Sequence, residues 1–86
     1  MKKIMMALGN EPLEESLKKS LGTEYNFGPV ITRKGAILPL VMQENPDILI
    51  VRESIIGELN EDMYDILFTL RTQASSVRIV LLYVLD

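Results

Sequence analysis

The residue best placed to do chemistry is Arg52, which with Glu53 closes the apolar run Ile48-Leu49-Ile50-Val51. A run of that composition and length reads as a strand buried on both faces of a parallel sheet, and open α/β domains place their chemistry just past such strands. Near the amino terminus, Gly9-Asn10-Glu11 closes a second apolar run, Ile4 to Leu8. A guanidinium at one strand end and a glycine turn at another can hold an anion at the sheet's carboxyl edge. In a plainer role, Arg52 pairs with Glu53 or Glu11 there, an exposed contact worth about 0 to 1 kcal/mol.

Other chemistries are excluded by composition. The 86 residues contain no cysteine and no histidine, which removes disulfides, thiolate zinc sites, thiol nucleophiles and histidine acid-base catalysis. Gly35 and Gly57 are isolated and lack the context of a phosphate-cradling loop, and no serine sits in a glycine-flanked elbow. Asp47, Glu58, Glu61, Asp62 and Asp65 are acidic, and those flanking the third helix read as a solvated face. Met1, Met5, Met6, Met42 and Met63 read as core or start residues. We expect no catalysis, no cofactor and no metal.

The length allows one small domain, residues 1-86, with roughly 60 to 65% of the unfolded surface buried. Hydrophobic residues make up 48% and charged residues 24% of the chain, a globular profile. The net charge of −3 argues against direct nucleic-acid binding, which needs a concentrated basic face. Met1-Lys2-Lys3 followed by Ile4 to Leu8 has the charge order of a signal peptide, but the apolar stretch is too short for a secretory core or a membrane span. A chain without cysteine is compatible with the cytoplasm, where we expect it to reside.

The elements that position these residues alternate. The first strand leads to Asn10 as N-cap, with Glu11, Glu14 and Glu15 early in a helix, Leu13, Leu17 and Leu21 at helical spacing, and Gly22 as the stop. Glu14 with Lys18 and Glu15 with Lys19 form supportive pairs four apart. Tyr25 to Ile31 is an edge strand interrupted by Gly28-Pro29. Ile37, Leu40, Val41 and Glu44 outline a second helix ending at Asn45-Pro46, and Pro39 inside it is a conflict resolved by a late start or a kink. After the Ile48 to Val51 strand comes a helix capped by Asn60, with Met63, Ile66, Leu67 and Leu70 inward and Arg71 near its end. Val77 to Leu85 is the final strand. The order β-α-β-α-β-α-β with right-handed crossovers predicts a parallel sheet covered by helices on both faces.

Pro46 to Arg52 followed by Ile55-Ile56-Gly57 resembles the third strand and following loop of response-regulator receiver domains. The resemblance implies a three-layer flavodoxin-like α/β fold with strand order 2-1-3-4, and a fifth strand beyond the residues present. It places Arg52 where receivers carry the phosphoacceptor aspartate. Their magnesium-binding acidic pair falls on Gly9-Asn10 or Asn10-Glu11, and their hydroxyl position on Tyr83. Neither pairing supplies two carboxylates, and a guanidinium neither attacks a phosphoryl donor nor holds a metal. The resemblance is therefore to a receiver without receiver chemistry.

Thr32 to Leu40 and Asn45 to Glu53 look like the receiver-like domains that precede ParA/MinD-type P-loop ATPases. That implies an amino-terminal piece of a longer protein, acting by protein-protein interaction, dimerisation or localisation on a downstream ATPase. Two alternatives are the amino-terminal domain of a transcriptional regulator and a small flavodoxin-like domain that binds an anionic ligand. Because the last strand is apolar and unpaired in this pattern, we expect a homodimer or higher oligomer. The contact would be made by strand addition or through Ile79, Leu81, Tyr83 and Leu85.

Overall fold

The computed structural model describes residues 2–52, 61–74 and 76–82, with side chains from residue 65 onward in the third helix. Four parallel strands, β1 (Lys2–Ala7), β2 (Tyr25–Phe27), β3 (Ile48–Arg52) and β4 (Arg78–Leu82), form one sheet in the order β2-β1-β3-β4. Helices α1 (Glu11–Leu21), α2 (Ile37–Glu44) and α3 (Glu61–Gln73) connect them. This is the flavodoxin-like α/β arrangement, with the strand order that the receiver resemblance implies. Asn60, Tyr83 and Leu85, assigned above to a cap, a receiver position and an interface, lie outside the described residues.

Alternation along the strands divides the core in two. Met5, Ala7, Leu49 and Val51 point to the face covered by α2 and α3, where they meet Ile31, Ile37, Val41, Leu70, Ala74 and Val77. Ile4, Met6 and Leu8 point to the other face, against Leu13, Leu17 and Leu21 of α1. The expectation that β3 is buried on both faces holds fully on one: Leu49 and Val51 are inaccessible, while Ile48 and Ile50 remain half-buried. On the α1 side, α1 is the only helix in that cluster among the described residues, which leaves those two residues partly open.

Local signals account for the helix ends. The Asn10 side-chain oxygen accepts the Leu13 N–H at 3.0 Å, and the Gly22 N–H donates to the Lys18 carbonyl at 3.1 Å. A short 3-10 turn, Lys34–Ala36, precedes α2. Because α2 begins at Ile37, Pro39 falls in its first turn, where backbone N–H groups have no helical partner in any case, and the expected conflict does not arise. Asn45 ends α2 at φ 47, donating its N–H to the Val41 carbonyl, and the following Pro46 is fully buried.

The second strand is shorter than its apolar run. It stops at Phe27, but the chain still follows β1: the N–H groups of Gly28 and Ile31 donate to the carbonyls of Ile4 and Met6, each at 2.9 Å. Three residues on this side span two on β1, so the ladder slips by one residue around Pro29, whose lack of an N–H suits the unpaired outer side of an edge.

Candidate functional site

Strand register brings the sequence's candidates to one edge. Ala7 lies opposite Val51, so the Leu8-Gly9-Asn10 exit of β1 and Arg52 at the end of β3 leave neighbouring strands at the same level. Gly9 has φ 64, a left-handed conformation that glycine adopts without the Cβ penalty, and it turns the chain from β1 into α1. Asn10 uses its side-chain oxygen to cap that helix, and Glu11 is the exposed first helical residue.

Arg52 lies opposite Leu82 and is half-buried. Its Nε is buried and has no hydrogen-bond partner among the described residues. The expected pairing with Glu11 is not formed, and Glu53 lies outside the described residues. Among the described residues no three His, Cys, Asp or Glu side chains come together in a way that could hold a metal ion.

A cavity of about 460 Å³ opens on the β2 side of this edge, lined by Gly9, Asn10, Glu11, Glu14, Glu15, Lys18, Val30 and Thr32. It gathers three of the degenerate receiver positions, Gly9, Asn10 and Glu11, and leaves Arg52 out. The unexpected member is Glu14, only 6% exposed. Sequence reading paired it with Lys18, whose ammonium instead stands 5.9 Å from the centre of the Phe27 ring, at cation-π range. The available signal was the four-residue spacing of Asn10, Glu14 and Lys18, which sets them in one row beside the Leu13, Leu17 and Leu21 stripe.

The interface candidates divide. Ile79 and Leu81 are half-buried against the core under α2 and α3. The apolar residue that β4 exposes is Val80, at 43%, which lies with the exposed Arg78 on the opposite face. In the described sheet β4 is a terminal strand, with one side of its backbone unpaired.

The class that this architecture defines is the flavodoxin-like open α/β domain, and no helix among its described residues is long and apolar enough to cross a membrane. No family model, curated protein or solved structure matches the chain.

Proposed function

We propose that the chain is a non-catalytic, receiver-like module that works in the cytoplasm by contact with other proteins. It associates with itself and regulates a ParA/MinD-type ATPase. The observation that supports this reading is Arg52 at the carboxyl end of β3, beside a β1 exit that carries glycine and asparagine. Phosphoryl transfer at this edge of a receiver needs a carboxylate acceptor and acidic ligands for magnesium; a guanidinium repels the metal and cannot accept the phosphoryl group. Resemblance of the Thr32 to Leu40 and Asn45 to Glu53 segments to domains that precede such ATPases supplies the partner class.

Incubation with acetyl phosphate and magnesium, followed by intact-mass measurement, tests this proposal. The expected result is an unchanged mass, with no amide shift on addition of beryllium fluoride. Stoichiometric acid-labile phosphate would overturn it.

The buried Arg52 Nε, without a partner among the described residues, favours a second reading, a ligand-binding domain for an anion. Thermal-shift screening against phosphate, nucleotides and flavin separates the two. Saturable stabilisation that is lost in Arg52→Met supports the second.

A further inference from the structure

We propose that the open face of β3 and β4 docks helix α3 of a second copy of this chain, with Phe68 as the inserted side chain. Such a contact presupposes the self-association proposed above and gives it two distinct surfaces. Strand alternation sets Ile48, Ile50 and Arg52 of β3 beside Arg78, Val80 and Leu82 of β4 on the α1 side of the sheet. Among the described residues α1 is the only helix in the cluster on that side, where its leucines pack with Ile4, Met6 and Leu8. Ile48, Ile50 and Leu82 stay half-buried, and Val80 is 43% exposed. The open strip is two strands wide, roughly 10 Å, and a helix with its side chains is about 10 to 12 Å across. One helix therefore fits it, while α1 borders the strip as a wall that keeps a flat partner, such as a bilayer surface, off its floor.

Charge selects the occupant. The strip carries two guanidiniums and no carboxylate, in a chain of net charge −3. Neither Arg52 nor Arg78 forms an ion pair among the described residues. Two such strips face to face would set arginine against arginine, which disfavours a two-fold contact through this face. The complement is an apolar side chain beside an acidic one. Besides Val80, the large apolar side chains exposed among the described residues are Phe68, at 71%, and Met42, at 49%. Phe68 is the larger and more exposed, and Asp65, itself exposed, precedes it by three residues on the same helix face. Arg71 lies on the other flank of Phe68, so the helix docks with its Asp65 flank toward the arginines. Because α3 packs on the opposite side of the sheet from the strip, Phe68 and Val80 of one copy cannot meet. The contact is heterologous, and copies join head to tail.

Sedimentation velocity of the chain over a concentration series tests this. The wild type should form species that grow past the dimer as concentration rises. Phe68→Ser removes the inserted side chain and Val80→Lys spoils the floor; each alone should weaken association about tenfold or more. Mixed together, the two variants should pair one to one and grow no further, because each keeps the surface that the other lacks. Met42→Ser should associate as the wild type does. Circular dichroism accompanies each variant, and if Val80→Lys unfolds, Arg78→Glu replaces it at an exposed position of the same strip. Undiminished association of Phe68→Ser, with Val80→Lys monomeric, would overturn the head-to-tail contact and leave self-association through β4 standing. Failure of the two monomeric variants to pair would also overturn it. A wild-type chain that stays monomeric would overturn both the contact and the self-association.

Discussion

Asp47 holds the backbone of Lys3 in both directions: its N–H donates to the Lys3 carbonyl at 2.9 Å, and its Oδ2 accepts the Lys3 N–H at 2.8 Å. The Asp47 carbonyl accepts the Arg78 N–H at 2.9 Å, so one residue ties β1, β3 and β4 at the amino edge. Lys3 adds an ion pair from its ammonium to Glu44. Removing the side chain by Asp47→Ala frees the Lys3 N–H and should lower stability by about 1 kcal/mol. Asp47→Asn keeps an acceptor and should lose less. Urea unfolding of the two variants measures the difference, and equal losses would show that the side chain is not the tie.

Gly28 meets β1 closely enough to forbid a side chain. A Cβ there would stand 2.9 Å from Met5 Cγ and 3.1 Å from Lys3 Cε. Lys3 can move its tip, but Met5 is fully buried and its Cγ is held within the core. Gly28→Ala should therefore cost about 1 to 3 kcal/mol by overpacking, and Gly28→Val more. Thermal melts check this, and an unchanged midpoint in the alanine variant would refute it.

Arg52 is a place where deleting a polar group should not harm the fold. Its Nε is buried and has no partner among the described residues, so Arg52→Met removes a desolvated donor while keeping most of the side-chain stem. The expected change is between zero and a gain of about 1 kcal/mol. A clear loss would mean that the guanidinium has a stabilising partner in solution. Arg52→Asp should also remain unphosphorylated by acetyl phosphate, because Gly9-Asn10 still brings no pair of carboxylates for magnesium.

Much of the architecture was legible because its signals are local. The Asn10 cap, the Gly22 stop and the apolar run to Val51 each mark an element boundary from neighbouring residues alone. Strand order is a long-range property that periodicity does not encode, and it came from the receiver resemblance. Glu14 illustrates the limit. Helical spacing puts it at the margin of the apolar stripe, where either exposure or burial is possible. Val30 and Thr32, in the loop beyond the interrupted strand, line the same cavity as Glu14, and that approach is invisible in the α1 sequence. The faces of β4 were similarly undetermined, since Val80 and Leu81 are both apolar and only the placement of α2 and α3 distinguishes them.

That distinction sharpens the test of self-association. β4 presents an unpaired backbone side in the described sheet, with no glycine or proline to deter a second strand, and Val80 is exposed at 43% on the face away from α2 and α3. The protein should sediment as a dimer or larger species at micromolar concentration. Val80→Lys places a charge on the exposed face and should shift the distribution to monomer with an unchanged circular dichroism spectrum. Leu81→Lys puts the same charge into the core beneath α2 and α3 and should unfold the domain instead. A wild-type chain that remains monomeric across the concentration range would remove β4 as a contact surface. If Val80→Lys associates as strongly as the wild type, the interface lies elsewhere on the molecule.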